Sequence, residues 1–381
     1  MAIVAVMVTT SLLTAPSPRV VAEHTRFDPV FVLGHSRSGT SLMCRLLLDH
    51  LGVNFGTESQ FIVRYHQKLA QYGDLSDDRR LRWLFQEISR ERFFERTRRN
   101  FGFVFDIDRA MNSIGQRTYA GVLTAIFEQF ACGQGLTRWG DKTPAYARHL
   151  PVLRELFPRA QYIHVVRDGR DAALSLMSTG FGPKTAYEAA VAWSAQVRDI
   201  DWLAETSSAS NFLTVRYEDL LKQPGDVLGK IAAFLAIRNP DALAAAVSGA
   251  VRQQVREGNC AKWTTGLSQR EIECFETYAG RELERFGYAL AFSCRTKPVT
   301  RLESTCWRAQ GIGRRFSNRR YWTDNCYKIW LRLREMTLPL RQPASLRPQS
   351  WTFAAIDAFR RRVGQVGTAM RSRVGARTPH A

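Results

Sequence analysis

Arg37, Ser38, Gly39, Thr40 and Ser41 stand together in the stretch VFVLGHSRSGTS. A short apolar run rich in β-branched residues precedes them, and the helical pattern LMCRLLLDHLG follows at once. Strand, small-residue loop and helix form the layout of a phosphate cradle, in which loop N–H groups and the positive helix end face one anion. Gly34 and Gly39 have the spacing of the nucleotide-triphosphate loop G-x-x-x-x-G-K-[ST], but Thr40 occupies the lysine position. The basic residue comes earlier, at Arg37. Such a loop suits a phosphate-like group rather than the β/γ-phosphates and Mg²⁺ of ATP. Gly39 permits close backbone approach. Thr40 and Ser41 also have the residue types that cap a helix N-terminus, and the two roles are compatible.

A second constellation lies in QYIHVVRDGRDAALS, residues 161–175. Arg167 ends an apolar run, at the carboxyl edge where α/β sheets present ligand contacts. Ser175 falls two turns along the helix that follows. The bland alternative for Arg167 is a surface network with Asp168, Arg170 and Asp171.

Taken together, the two stretches resemble the sulfotransferases that use 3′-phosphoadenosine 5′-phosphosulfate (PAPS). Residues 37–41 resemble that family's 5′-phosphosulfate loop, and residues 161–175 its 3′-phosphate-binding strand and helix, in the family's order and separation. Within the family, the resemblance is nearest to the protein-tyrosine sulfotransferases, which carry R-S-G-T-T-L-M, a helix and then G-E-E-T. Counted from Arg37, Glu58 in GTESQF falls on the second acid of that motif, the group's catalytic base. Thr57 replaces the first acid. Other sulfotransferases use a histidine base, but His35, His50 and His66 lack a matching context. Lys142 in WGDKTP resembles the lysine of the group's K-D-P segment, which implies contact with the sulfuryl group and bridging oxygen; Asp141 is placed to position it. Tyr217 in VRYEDLLKQP and Lys262-Trp263 match two further segments near the nucleotide, with Ala261 where the family has serine. Tyr217 could equally be core packing; Trp263 is placed to stack on adenine, although a tryptophan is more often simply core.

The resemblance spans about residues 29–290. It implies sulfuryl transfer from PAPS to an acceptor hydroxyl, releasing 3′-phosphoadenosine 5′-phosphate (PAP). Arg37, Glu58 and Lys142 would be the catalytic set. Arg37 to Ser41, Arg167, Ser175, Tyr217 and Lys262 would hold the donor. Fixed cations neutralise the donor, so no metal is expected. Carbohydrate, glycolipid, small-molecule or tyrosine hydroxyls are all acceptors open to such an enzyme. Two rivals are a P-loop kinase of a small substrate and a non-catalytic binding protein acting through its basic tail.

The elements that must position these residues can be read from periodicity. Strands are expected at residues 30–33, 161–166 and 211–215. Helices are expected after residue 40, over 145–157, 168–177, 185–205, 224–235 and 269–286, and through most of 60–134. In that last span Leu81, Leu84, Phe85, Ile88 and Phe93 mark an apolar face opposite a row of arginines. Alternating strands and helices imply an α/β fold with a P-loop-like parallel sheet covered on both faces. The divisions are a leader or disordered arm at 1–27, the sulfotransferase domain at 28–294, and a basic, partly helical extension at 295–381.

The net charge of +19 is uneven: residues 295–381 hold 19 basic and 4 acidic residues. A basic tail favours an anionic partner. Trp351, Ala355, Phe359, Val363, Val366 and Met370 recur at helical spacing among arginines, and Tyr327, Trp330, Leu331 and Leu333 mark another such helix. A basic amphipathic helix suits an anionic membrane surface; a helix packed on the domain is the alternative, and nucleic acid is the less favoured partner. Ala2–Leu13 is apolar but too short to span a bilayer and lacks a preceding charge. The seven cysteines form no C-x-x-C, and no N-x-[ST] occurs. The expected location is cytoplasmic.

Overall fold

The computed structural model describes residues 28–254, 258–292 and 297–317. The leader and both tail helices expected above lie outside the described residues, as does everything from residue 318 to 381.

Five parallel strands form one sheet in the order β2-β3-β1-β4-β5. They are β1 (Val30–Leu33), β2 (Val53–Phe55), β3 (Arg138–Asp141), β4 (Gln161–Val166) and β5 (Phe212–Arg216). β1 lies at the centre, with Phe31 opposite Asp141 of β3 on one side and Tyr162 of β4 on the other. Its side chains alternate between two cores. Phe31 and Leu33 face a cluster containing Phe61, Phe93, Phe127 and Trp139, while Val30 and Val32 face Met43, Leu47, Ile163 and Leu228. Burial on both faces explains why β1 and β4 read as continuous apolar runs.

β2 and β3 were not expected from the sequence. Each is short, and Asn54, Arg138 and Asp141 interrupt their apolar character. Arg138 is nonetheless fully buried, because its guanidinium donates to Asp28 O (3.1 Å), to Leu235 O (2.8 Å) and to the Gln161 amide oxygen. The helix expected over 145–157 is divided into a 3₁₀ turn, Pro144–Arg148, and a helix, Leu150–Leu156. Pro151 lacks an N–H and its ring crowds the carbonyl of Ala147, so it cannot continue the preceding turn and sits in the first turn of a new helix. Leu81, Leu84, Phe85, Ile88 and Phe93 are all buried, as their spacing predicts.

Helices Pro240–Gln254 and Arg301–Phe316 were not read in the sequence. The second lies on the long helix Ala186–Thr206 through polar contacts: Arg308 donates to the Tyr187 hydroxyl (3.0 Å) and Arg315 pairs with Glu188 (2.8 Å), while Glu303 pairs with Arg270 (2.6 Å) of the helix Gln269–Arg285.

Candidate active site

Every strand ends in a loop or helix that carries one of the residues singled out above. Arg37 follows β1, Glu58 follows β2, Lys142 follows β3, Arg167 follows β4 and Tyr217 follows β5. The carboxyl edge of a parallel sheet is where such side chains can converge, because each crossover returns the chain to the opposite edge.

The loop after β1 is tightly constrained. A Cβ on Gly34 would lie 2.5 Å from Val165 O, and one on Gly39 would lie 2.3 Å from the Tyr217 ring. Gly39 also has φ +92°, which favours glycine. Arg37 sits at φ +75°, a costly conformation for a side-chain-bearing residue. Gln60 (φ +57°) and Ala261 (φ +55°) do the same, so three of the five described non-glycine residues with positive φ flank the predicted site.

The helix Thr40–Leu51 has Gly39 at its N-cap and no side-chain cap bond. Thr40 and Ser41 therefore do not cap it, contrary to that alternative. Its first-turn N–H groups lack side-chain acceptors and remain directed at the loop.

The two motifs hold each other. Arg37 Nε donates to Ser175 Oγ at 3.0 Å, and Arg167 Nη1 donates to Arg37 O at 3.0 Å. Arg167 Nη2 donates to Asn259 O (3.0 Å), and its guanidinium lies 4.8 Å from the Tyr217 ring centroid. The Tyr217 hydroxyl accepts from Asn259 Nδ2 at 2.8 Å. Tyr217 is thus buried packing that also forms the floor of the loop. Two buried donors among the described residues here have no hydrogen-bond partner, Ser38 Oγ and Arg167 Nε; Asp171 Oδ2, 3.6 Å from the Arg167 guanidinium, is a buried acceptor without one. Buried donors without partners are uncommon, and an anionic ligand would satisfy both.

On the other side, Lys142 Nζ donates to Glu58 Oε1 at 2.8 Å, with both side chains partly exposed. Gln60 Nε2 reaches Glu58 Oε2 at 3.4 Å. Gln196 ties the two halves together, donating to Gly34 O (3.3 Å) and to Pro144 O (3.0 Å). Burial pushes the Asp141 carboxyl up to about 6, although the Ser59 and Thr143 hydroxyls and the Lys142 charge pull it down. His35 is buried beside the loop, and burial lowers its imidazole to about 4, with the charge of Arg148 acting in the same sense. It is neutral near pH 7. His66 lies 3.5 Å from Glu155.

Lys262 is exposed at the start of the short helix Trp263–Gly266, and no contact brings it to Arg37 or Glu58. Trp263 does not present an open ring face on both sides, because Arg170 lies 3.6 Å over it. The Arg–Asp network considered above exists, but it is buried and centred on Arg170, not on Arg167. Asn259, Gln196, Ser59 and Tyr146 were missed. Their bonds to the site span 42 to 162 residues, and no local pattern marks them. Among the described residues, no group of three or more His, Cys, Asp or Glu could hold a metal.

A glycine-bearing loop between β1 and a helix, on a five-stranded parallel sheet, defines a P-loop-like α/β protein. A model of the sulfotransferase family matches residues 29–241, and the chain belongs to that family. It is 27% identical to protein-tyrosine sulfotransferase A of Caenorhabditis elegans over 214 residues, covering 55% of this chain and 50% of that one. It is 27% identical to the Drosophila melanogaster protein-tyrosine sulfotransferase over 243 residues, covering 61% and 42%. The chain therefore spans about half the length of the curated relatives it matches. Among solved structures, the sulfotransferase domain of the Synechococcus PCC 7002 olefin synthase aligns with TM-score 0.41 and 24% identity, over 67% of this chain and 96% of that one. Mouse sulfotransferase SULT7A1, complexed with PAP, aligns with TM-score 0.36 and 14% identity, over 76% and 90%.

Proposed function

We propose that this chain transfers the sulfuryl group of PAPS to an acceptor hydroxyl and releases PAP. The observation that carries this reading is the pairing of two buried, unpartnered donors, Ser38 Oγ and Arg167 Nε, with a 2.8 Å Glu58–Lys142 contact on the same sheet edge. An anion site thus lies beside a base and a cation.

When bound, PAPS supplies an activated sulfuryl group: its bond to the 5′-phosphate oxygen breaks as a new S–O bond forms to the acceptor. Glu58 takes the acceptor proton at a carboxylate oxygen. Lys142 and Arg37 oppose the negative charge that grows on the bridging oxygen, and their fixed positions require no reorganisation. The loop N–H groups with Ser38, Thr40 and Ser41 hold the 5′ end. Arg167 and Ser175 hold the 3′-phosphate, with Tyr217 beneath them and Lys262 near the nucleotide.

The acceptor is a hydroxyl of a carbohydrate, glycolipid, small molecule or tyrosine. An anionic membrane surface is the partner proposed for the basic extension. In support, the helix Arg301–Phe316 turns its bonded arginines inward, while Leu302 (76% exposed), Ile312 (51%) and Phe316 (58%) face outward. No described helix is long and apolar enough to cross a membrane. Cytoplasmic residence is proposed on the lack of N-x-[ST] and of paired C-x-x-C cysteines.

Calorimetric titration without metal tests the donor site. Binding of PAP with little binding of 5′-AMP or ATP is the expected result; preference for ATP would favour a kinase. Glu58→Ala is expected to lower turnover about 10²- to 10⁴-fold with unchanged PAP affinity. Near-normal turnover would remove Glu58 as the base.

A further inference from the structure

Glu58 and Lys142 come from loops 84 residues apart, yet they meet at 2.8 Å. Something must hold those loops in register, and the bonds one residue further along both of them do so. Ser59 N donates to Thr143 Oγ1 at 3.2 Å. Thr143 Oγ1 in turn donates to Asp141 Oδ1 at 2.8 Å. Behind them, Ser59 Oγ and the Tyr146 hydroxyl share a bond of 2.7 Å, and Ile62 N donates to the same hydroxyl at 3.0 Å. Ser59, Asp141, Thr143 and Tyr146 are all at least nine-tenths buried.

Hydrogen-bond bookkeeping orders this chain. A threonine hydroxyl has one proton and two lone pairs. The Asp141 carboxylate accepts the hydrogen bond that this O–H donates, which fixes the Thr143 rotamer and turns a lone pair towards the Ser59 N–H. The carboxylate therefore acts on Glu58 indirectly: Asp141 orients Thr143, Thr143 pins the Ser59 backbone, and Glu58 is the preceding residue. Lys142 stands between Asp141 and Thr143, so the same bonds fix its backbone from both sides.

We infer that Asp141, Thr143 and Ser59, backed by Tyr146, form a positioning network that sets the Glu58–Lys142 pair for proton removal and charge stabilisation. Asp141 Oδ2 is buried without a partner, so the network is anchored on one carboxylate oxygen. The inference rests on the proposed transfer reaction. It assigns no contact with either substrate to these residues.

The test uses the full chain, PAPS as donor and p-nitrophenol as hydroxyl probe, with turnover normalised to sites titrated by PAP. Thr143→Val keeps the shape but removes both bonds. Its kcat is expected to fall about 10- to 100-fold, the scale of a 1 Å misplacement, while KM for PAPS and PAP affinity stay near those of the wild type. Thr143→Ser, which keeps the hydroxyl, is expected to restore most of kcat. If Thr143→Val fails to fold, Tyr146→Phe gives the same split with a smaller loss. A merely structural role would lower the number of PAP-binding sites and the melting temperature, leaving kcat per site intact; that result overturns the network. Thr143→Ser as slow as Thr143→Val also overturns it. Failure of the wild type to bind PAP overturns the transfer reading and the network with it.

Discussion

Arg167 and Arg170 lie within one turn of each other after β4, and their surroundings are opposite. Arg170 is enclosed by charge. It donates to Asp168 through Nε (3.0 Å) and Nη2 (2.7 Å), to Glu276 Oε1 (2.6 Å) and to Ala289 O (2.9 Å). Glu276 then accepts from Ala291 N and Phe292 N, both at 2.9 Å, so the arginine fastens the segment after the helix Gln269–Arg285 to the sheet. Arg167 bonds instead to two neutral carbonyls, with Asp171 at the longer distance of 3.6 Å, and its Nε has no partner. One guanidinium is compensated and structural. The other is oriented but under-compensated, which supports the anion-binding role proposed for it.

Removing each arginine should therefore break a different property. Arg170→Met leaves Asp168 and Glu276 buried without their cation, which costs about 3–5 kcal/mol. The melting temperature should fall on the order of 10 °C by calorimetry. A shift of a degree or two would mean that Arg170 is not the structural member of the pair. Arg167→Met should leave the fold nearly as stable. It should weaken PAP binding about 10- to 100-fold, the scale of one charge-assisted hydrogen-bonded contact, with 5′-AMP binding little changed. Equal losses for both nucleotides would take Arg167 away from the 3′-phosphate.

The smallest effect concerns a third buried group, His164, on β4 itself. Burial pushes His164 down to about 3 from its ordinary 6.5, with the Arg285 charge acting in the same direction. Below pH 6.5 the unfolded chain takes up a proton that the folded imidazole refuses, so stability falls as the pH drops from about 6.5 towards 3. Asp141, raised to about 6, has the opposite sign and loses its contribution as the pH rises through that value. Melting curves from pH 7 to 4.5 should be flatter in His164→Phe than in the wild type. Parallel curves would show that His164 does not govern the acid limb.

Much of the site was legible because it is built from contiguous motifs. Arg37 to Ser41 and Arg167 to Ser175 occupy a strand end, a turn and a helix start, and apolar runs marked both strands. β2 and β3 escaped notice because VNF and RWGD are short and partly polar, and Arg138 reads as a surface residue until Asp28, Gln161 and Leu235 surround it. The capping role weighed for Thr40 and Ser41 failed because Gly39 takes the N-cap in a left-handed conformation. Nothing in the local sequence shows that Arg170 covers one face of Trp263.

The sequence by itself determined the residue types and the local geometry of the chemistry: a glycine-bearing loop after an apolar strand, an arginine at a strand end, an acid and a lysine in small turns. These follow from backbone sterics and short-range periodicity. Only the tertiary structure decided which charges are neutralised and which keep an atom without a partner. Arg37 meets Ser175 across 138 residues, and Glu58 meets Lys142 across 84. Compensation of a charge depends on partners brought together by the fold, and nothing in the neighbouring sequence distinguishes Arg167 from Arg170 before those partners arrive.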